Sequence, residues 1–305
     1  MADKMRIGDY TIELSNTDKV LFPLHEITKG DLIDYYHKIA KVMLPYLKGR
    51  PITMHRFPDG IDGEGFYQQD ISDYFPDWIE RTTVKKEGGR VTHVICQNAA
   101  TLVYLANQAC ITPHAWLSRK DRLNHPDLMI FDLDPPADDF EPVRHAAQLL
   151  KKFLDELGIE SFVKTTGSKG LHVVVPLDKS VDFEEGRGFA RSVAIALAER
   201  EPAKLTTEQR KEKRKGRVFL DYLRNSYGQT AVAPYAVRAK QGAPIAVPIE
   251  WDELGDRNLM SQSYNTKNIF RRLSQKKDPW EGIWRKANSV DKAKQRIRDI
   301  GKQVT

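Results

Sequence analysis

Two aspartates spaced by one residue, Asp132 and Asp134, follow an apolar run that begins at Leu128, and Pro135 and Pro136 come directly after them. Alternate side chains of a β-strand point to the same face, so these two carboxylates share one face. A divalent cation relieves their mutual repulsion, and hard oxygen ligands at a rigid strand end suit Mg²⁺ or Mn²⁺. The alternative is a solvated Asp-x-Asp turn that simply follows a strand.

A third acid, Asp221, lies at the end of the apolar strand predicted in residues 217–223. Three carboxylates in one site can hold two metal ions, which activate an attacking oxygen and stabilise a leaving one. This is the chemistry of nucleotidyl transfer and of some nucleases. The alternative for Asp221 is a structural role at the strand end, paired with Arg217 or Arg224.

A glycine-bearing turn carries the second group of polar side chains. Its two glycines free the backbone, and Thr166, Ser168 and Lys169 add hydrogen-bond donors, so the turn could hold a phosphate chain. The spacing differs from that of a Walker loop, and an ordinary hairpin turn is the alternative. His172 begins the next strand, either as a donor to a phosphate or as a satisfied core residue.

Composition indicates a globular protein. The chain has 305 residues, 40% hydrophobic and 9% aromatic, and its net charge of +6 permits a polyanionic partner without proving one. Cys96 and Cys110 lie in apolar segments, which predicts buried reduced thiols rather than a disulfide framework or a zinc site. With no apolar run of 18 residues and no signal-peptide core at residues 1–4, we expect a cytoplasmic protein without membrane spans.

Hydrophobic periodicity and caps predict a mixture of strands and helices, including one hairpin across residues 166–170. The expected fold class is therefore α+β (mixed α/β), one compact unit with two lobes and a mixed or antiparallel sheet. The predicted helices are residues 28–47, 98–110, 140–157 and 183–200, followed by a helical, basic tail over 263–303, and the predicted strands are residues 51–57, 91–96, 128–134, 161–165, 171–176 and 217–223.

Three motifs, at residues 131–135, 165–172 and 219–225, occur in the order and spacing that resemble the polymerase domain of prokaryotic end-joining DNA ligases, in the archaeo-eukaryotic primase superfamily. Residues 15–23 and 31–36 extend the resemblance to nearly the whole chain. The resemblance implies a primase-like polymerase fold with helices flanking the central sheet. We expect a single domain, 1–305, with an N-terminal lobe at about 1–120 and a catalytic lobe at about 121–305.

The resemblance also implies roles for individual residues. Without it, Lys19 and Lys29 would be interpreted as solvated surface lysines. The implied roles are catalysis and metal binding by Asp132, Asp134 and Asp221; nucleotide binding by Thr166, Ser168, Lys169, His172, Arg238 and His114; binding of a DNA 5′-phosphate by Asn16, Lys19 and Lys29; and template stacking by Phe66 and Tyr67.

Two further basic features are candidates for nucleic-acid contact. Arg56 is an additional basic group for the cleft, and the run at residues 209–217 is strongly basic. The run either contacts backbone phosphates or is an ordinary solvated segment.

The function implied by the resemblance is template-dependent nucleotidyl transfer that fills gaps and extends 3′ ends at DNA double-strand breaks in non-homologous end joining. The family prefers ribonucleotides and uses two divalent metals, Mn²⁺ or Mg²⁺. Expected partners are broken, gapped or 3′-overhang DNA, NTP or dNTP, a Ku-like end-binding protein and a separate DNA ligase. We expect two copies to meet only through synapsis of DNA ends, near the nucleoid.

The family's polymerase domain is commonly fused to ligase and nuclease domains. This chain carries no recognisable ligase lysine motif, so we expect a stand-alone polymerase or a fragment of a larger ligase. The residues leave other functions open, namely a two-metal nuclease and a non-catalytic module that bridges DNA ends. A glycosyltransferase could also use Asp-x-Asp, although nothing else in the chain indicates a sugar site.

Overall fold

The computed structural model describes residues 3–303, and the side chains of 300–303 are outside that description. The helices of this part of the chain are α1 (Lys29–Leu47), α2 (Ala99–Asn107), α3 (Glu141–Glu156), α4 (Phe183–Arg200), α5 (Ile269–Gln275) and α6 (Asp291–Gln303). The strands are β1 (Lys4–Ile7), β2 (Tyr10–Glu13), β3 (Val20–Phe22), β4 (Ile27–Thr28), β5 (Pro51–Arg56), β6 (Phe66–Gln68), β7 (Arg81–Lys86), β8 (Gly89–Ile95), β9 (Cys110–Trp116), β10 (Leu128–Asp134), β11 (Phe162–Thr165), β12 (Leu171–Pro176), β13 (Leu205–Thr206), β14 (Val218–Asp221), β15 (Thr230–Val232) and β16 (Pro248–Ile249).

Local signals set several helix boundaries as the sequence predicts. Thr28 caps α1 in a capping box, because its hydroxyl accepts from the Asp31 amide while the Asp31 carboxylate accepts from the Thr28 amide. Asp182 caps α4, whose bounds match the predicted helix. Gly158, at φ 71°, follows the end of α3 and occupies the left-handed conformation that commonly stops a helix.

Two predicted elements are wrong. The helix predicted over 98–110 ends at Asn107, and Cys110 instead begins the buried strand β9, because Ala109 at φ 56° turns the chain between them. The tail over 263–303 is not continuously helical. α5 and α6 are separated by a stretch that contains Pro279 and Gly282, the latter at φ 78°.

The described chain forms two compact units, and the first comprises residues 3–121, 230–246 and 264–272. Its main sheet has the strand order β15-β9-β5-β8-β7, with β6 also paired to β5, and two small sheets pair β1 with β2 and β3 with β4. Tyr36 on α1 ties distant segments of this unit together. Its hydroxyl donates to the Ile111 carbonyl and accepts from the Val237 amide.

The second unit comprises residues 122–229, 247–263 and 273–303. Its sheet has the strand order β13-β14-β10-β12-β11-β16, in which β13 and β14 are parallel and the other neighbours are antiparallel. Helices α3 and α4 pack against its central strands. The expected α+β class with a mixed sheet is confirmed, and the Asp-x-Asp strand β10 lies inside this sheet rather than at its edge.

The two cysteines are buried and free, as expected. Burial raises the pKa of the Cys110 thiol to about 12, so this sulfur is protonated and unreactive at neutral pH. None of the helices described in the structure has the length and apolar character needed to cross a membrane.

Candidate active site

Strand register brings the candidate catalytic side chains together. In the antiparallel pairing of β10 with β14, Asp132 stands directly opposite Asp221, and in the pairing of β10 with β12 it stands opposite His172. Directly opposed residues share a face with Cβ atoms about 4.5–5.5 Å apart, and Asp134 shares that face because it follows Asp132 by two residues. Three carboxylates and one imidazole therefore converge on one face of the second unit's sheet.

Asp132 is buried between two hydrogen-bond donors. Its Oδ2 accepts from Arg224 Nε, and its Oδ1 lies 3.4 Å from His172 Nε2. Burial acts to raise the pKa of Asp132, but His172 and Arg224 outweigh it and hold that pKa below its usual range. Burial and the neighbouring Lys164 lower the pKa of His172 to about 4, so the imidazole is neutral at pH 7. We therefore assign the counter-charge of Asp132 at neutral pH to Arg224.

The pKa values of the other two carboxylates, Asp134 and Asp221, are raised rather than lowered. Burial, followed by the charge of Asp132, raises the pKa of Asp134 to about 6. Burial also raises the pKa of Asp221, although the Leu223 amide donates to this carboxylate. Neighbouring carboxylates that are hard to ionise together are a donor set that a divalent cation would stabilise.

The side chains do not form a ready-made metal cage. Within residues 3–303 no group of three or more His, Cys, Asp or Glu side chains is arranged to hold a metal ion. Both carboxylate oxygens of Asp132 already face His172 and Arg224. The oxygen donors fit Mg²⁺ or Mn²⁺ in chemistry, and Asp132 would offer both oxygens to a metal ion if Arg224 gave up its hydrogen bond.

The turn between β11 and β12 is specified in detail by its sequence. Gly167 has φ 63°, and a side-chain carbon at Gly170 would overlap the carbonyl oxygen of Leu133 on β10. Inside the turn, Thr166 Oγ1 accepts from the amides of Ser168 and Gly170, each at 3.2 Å. The turn is thus pressed against the Asp-x-Asp strand, which an ordinary hairpin turn does not require.

Lys169 and the basic run lie beside Asp134. Lys169 Nζ is 2.5 Å from Asp138 Oδ1, and both side chains are exposed. A cavity of about 190 Å³ is lined by Asp134, Lys169, Lys211 and Arg214, among others. Arg214 is buried with its guanidinium 4.0 Å from the centre of the Phe219 ring, so for this residue the solvated interpretation of the run is wrong.

The first unit holds the other two predicted nucleotide-binding residues. His114, on β9, is buried and contacts the rings of Tyr67 and His55 edge-on, at centroid distances of 5.5 and 6.2 Å. Arg238 is half-buried, and its backbone amide donates to the Pro244 carbonyl.

The predicted phosphate pocket is assembled by backbone contacts at the start of α1. The Lys29 amide donates to the Lys19 carbonyl, and the Lys19 amide donates to the Asn16 carbonyl. Lys29 is only 5% exposed, and its Nζ donates to Ser15 Oγ and the Asn107 carbonyl, each at 3.1 Å. Burial and then the charge of Lys19 lower the pKa of Lys29, so its interpretation as a solvated surface lysine is wrong.

The predicted stacking residues are both exposed, Phe66 by 44% and Tyr67 by 60%. They occupy β6 opposite Arg56 and His55 of β5. Tyr67 stacks on His55 at a centroid distance of 4.1 Å with 8° between the planes, and the Arg56 guanidinium lies 5.5 Å from the Phe66 ring centre. Adjacent residues of a strand point to opposite faces, so the two aromatics offer separate surfaces.

Two polar residues of this site were not identified as functional from the sequence. The sequence indicates Arg224 only as a possible partner of Asp221, whereas in the structure it donates to Asp132. Lys164 stands opposite His172 in the pairing of β11 with β12 and is buried. Because Lys164 stands opposite His172, which in turn stands opposite Asp132, it lies on the same face as the carboxylates.

A mixed sheet that presents strand-borne carboxylates beside a glycine-bearing polar turn fits an enzyme that acts on phosphate esters with divalent metals. Comparison with known proteins identifies which class of such enzymes this is. The family model described as "LigD, primase-polymerase domain" matches residues 28–280. The chain therefore belongs to the LigD primase-polymerase domain family, and the expected identity, polymerase class and primase-like fold are confirmed.

Individual relatives agree with this assignment. The "Multifunctional non-homologous end joining DNA repair protein LigD" of Mycobacterium tuberculosis H37Rv is 33% identical over 97% of this chain and 40% of its own length. The "Bifunctional non-homologous end joining protein LigD" of Bacillus subtilis 168 is 31% identical over 90% of this chain and 44% of its own length. The chain thus spans less than half the length of these curated relatives.

A solved structure agrees as well. The polymerase domain of Mycobacterium tuberculosis ligase D, determined in complex with DNA, superimposes with a TM-score of 0.85 and 32% identity. The match covers 91% of this chain and 99% of that one.

Proposed function

We propose that this chain is a template-dependent polymerase that fills gaps and extends 3′ ends at DNA double-strand breaks during non-homologous end joining. The observation that carries the proposal is the cross-strand pairing of Asp132 with Asp221, with Asp134 and His172 on the same sheet face. The end-joining names of the relatives and the DNA bound to the similar polymerase domain support the choice of substrate.

In the proposed reaction the primer 3′-hydroxyl oxygen forms a bond to the α-phosphorus of the incoming nucleotide. The bond from that phosphorus to the bridging oxygen of the β-phosphate breaks, pyrophosphate leaves, and the hydroxyl proton passes to solvent. Neutral His172 has an unpartnered, buried Nδ1 within the described chain. With its Nε2–H directed at Asp132, this Nδ1 carries no hydrogen and accepts, so His172 would face the nucleotide through a hydroxyl group or a bound water without adding charge to the site.

Asp132, Asp134 and Asp221 would hold the divalent metals, Mn²⁺ or Mg²⁺. Such ions lower the pKa of the attacking hydroxyl and neutralise charge on the leaving phosphate. The raised pKa values of Asp134 and Asp221 support this role, because burial and the charge of Asp132 outweigh the nearby Arg224 and Arg214. Around the turn, Thr166, Ser168 and Lys169 would bind the triphosphate. For the first unit, the family resemblance is the ground for proposing His114 and Arg238 as nucleotide-binding residues.

The first unit would bind the DNA. Asn16, Lys19 and Lys29 would hold the downstream 5′-phosphate. The burial of Lys29 supports this, because a buried ammonium group stays charged most readily when it binds an anionic ligand. Phe66 and Tyr67 would stack on the template, where each base contact contributes about 1–3 kcal/mol. Arg56 would add a cation beside Phe66.

The remaining parts of the proposal rest on family resemblance. They are a preference for ribonucleotides, a Ku-like end-binding partner, cooperation with a DNA ligase activity and pairing of two copies only through synapsed DNA ends.

Primer extension on a gapped duplex tests the proposal. The primer is labelled, and the reaction is run with Mg²⁺ or Mn²⁺ and with ribo- or deoxyribonucleotides. We expect the labelled strand to grow by template-directed addition, faster with ribonucleotides, and to do so better when the downstream strand carries a 5′-phosphate. A strand that shortens would identify a nuclease, and unchanged DNA that is nonetheless bound would identify a bridging module.

A further inference from the structure

The segment over residues 254–262, here called the strap, reaches the candidate nucleotide turn from outside the motifs. We infer that the strap positions the Thr166–Gly170 turn, with Ser261 and Gln262 as positioning residues and Arg144 as the anchor. The inference rests on the proposed function insofar as the turn binds nucleotide. All the contacts that carry it lie within the second unit.

Arg144 fixes the first half of the strap. Its side chain is 4% exposed, and its Nη1 donates to the carbonyls of Leu254 and Asp256 while its Nη2 donates to the carbonyl of Leu259, each at 2.7 Å. Its Nε donates to Glu141 on the same helix, at 2.9 Å. A planar guanidinium that satisfies three backbone carbonyls holds the segment in one conformation relative to α3.

Ser261 carries that constraint into the turn. It is 4% exposed, its Oγ donates to the Gly170 carbonyl at 2.9 Å, and it lies 3.2 Å from Thr166 Oγ1. The Gly170 carbonyl also accepts from the amide and hydroxyl of Thr166, each at 3.1 Å. Ser261 thus joins the hydrogen-bond network that sets the shape of the turn.

Gln262 holds the outer side of the same turn. Its Nε2 donates to the Ser168 carbonyl at 2.8 Å. Because this bond uses the backbone of Ser168, the hydroxyl of Ser168 stays available for a ligand. The strap therefore contacts both ends of the turn through Ser261 and the middle of the turn through Gln262.

These hydrogen bonds matter because the strap and the turn are not packed solidly against each other. A cavity of about 350 Å³ lies between them, lined by Phe140, Ser168, Lys169, Met260 and Gln262, among others. On its other side the turn is pressed against β10 through Gly170. The position of the turn is thus determined by close packing on one side and by Ser261 and Gln262 on the other.

The test uses Ser261→Ala, which removes the buried hydroxyl, and Gln262→Glu, which keeps the shape but removes the donor. Loss of one such bond is expected to raise the KM for nucleotide about 5- to 10-fold and to leave kcat within about 2-fold, since the contact acts on binding rather than on the reacting atoms. Ser192→Ala on α4 and Gln295→Glu on α6 are matched controls far from the turn in sequence, and both should match the wild type.

A second measurement does not depend on activity. Hydrogen exchange at the amides of residues 166–170 should be faster in Ser261→Ala and Gln262→Glu than in the wild type and the controls. Unchanged exchange and unchanged KM in both variants would overturn the inference, as would a parallel loss of kcat, Mn²⁺ affinity and melting temperature. If the wild type itself adds no nucleotide but hydrogen exchange at residues 166–170 is still faster in the two variants, the proposed function is wrong while the positioning role of the strap is supported.

Discussion

Asp132 and Asp221 are direct cross-strand partners in the sheet of the second unit, yet their electrostatic environments differ. Arg224 and His172 hold the pKa of Asp132 low in spite of its burial, whereas burial raises the pKa of Asp221. Asp134, on the same face, has its pKa raised to about 6. In the absence of a metal ion, the ionised form of Asp132 is therefore stabilised, whereas Asp134 and Asp221 are harder to ionise.

Replacing Asp134 should raise the thermal stability of the protein and lower its activity. Asp134→Asn removes a half-buried carboxylate that is costly to ionise at pH 7.5, so the metal-free protein should melt at a higher temperature. Nucleotide addition should fall by about 10³-fold, as expected when charge stabilisation in the transition state is lost. Circular dichroism melts in EDTA and primer extension in Mn²⁺ measure the two effects.

Asp73→Asn, at an exposed position, is the control and should change neither the melting temperature nor the extension activity. Asp134→Asn retaining full extension activity would remove Asp134 from the catalytic assignment. DNA binding should survive in the variant, because the proposed DNA contacts lie in the first unit.

His55 predicts a pH dependence of stability. Burial, followed by the charge of Arg238, lowers the pKa of His55 to about 4 from 6.5. The unfolded state then binds more protons between these pH values, so the contribution is present above pH 6.5 and is lost as pH falls toward 4. Urea unfolding at pH 7 and 5 should show a larger loss for wild type than for His55→Gln. Equal losses in the two proteins would show that the half-buried His55 imidazole does not have a lowered pKa in the folded state.

Two glycines offer a matched test of how tightly the nucleotide turn is held. Gly170→Ala places a methyl group against the Leu133 carbonyl and should destabilise the fold by about 1–3 kcal/mol and raise the KM for nucleotide. Gly188→Ala, in α4 with open space around it, should stabilise by about 0.5–1 kcal/mol. Chemical denaturation of both variants gives the comparison, and equal stability of the two would show that Gly170 is not confined.

The phosphate pocket should be visible in binding to gapped DNA. Lys19→Ala and Lys29→Met remove cations while Met keeps most of the buried volume at position 29. Because a charge-assisted contact contributes about 1.5–3 kcal/mol, each variant should lose about tenfold or more of the preference for a 5′-phosphate over a 5′-hydroxyl.

Fluorescence anisotropy with the two forms of the same duplex measures that preference. Lys38→Ala, which removes an exposed lysine paired with Asp34, is the control and should keep it. Equal binding of both duplex forms by the wild type would exclude the pocket.

Part of this structure follows from the sequence because strand periodicity and local caps are local properties. The alternation of Asp132 and Asp134 and the capping box of Thr28 and Asp31 are examples. The hairpin around Gly167 follows from the same kind of local signal.

Other features depend on contacts between distant segments. β9 is buried at every residue, so its periodicity does not distinguish it from the end of a helix. Residues 230–246 belong to the first unit although residues 122–229, which precede them in sequence, belong to the second. Lys29 is buried against the carbonyl of Asn107, and Arg144 and Ser261 connect α3 to the turn at Gly170. All these features join residues that are far apart in sequence. Side-chain burial there is decided by tertiary packing, which a single sequence does not display.

The most direct test of the paired aspartates is single-turnover addition of one nucleotide to a primer at a gap. Rapid quench measures the rate of this addition for the wild type and for Asp221→Asn. With Mn²⁺ present, the wild type should add the templated ribonucleotide, and Asp221→Asn should add none above background while binding the same DNA equally well. Extension by Asp221→Asn at the wild-type rate would show that the carboxylates joined across β10 and β14 do not perform the transfer.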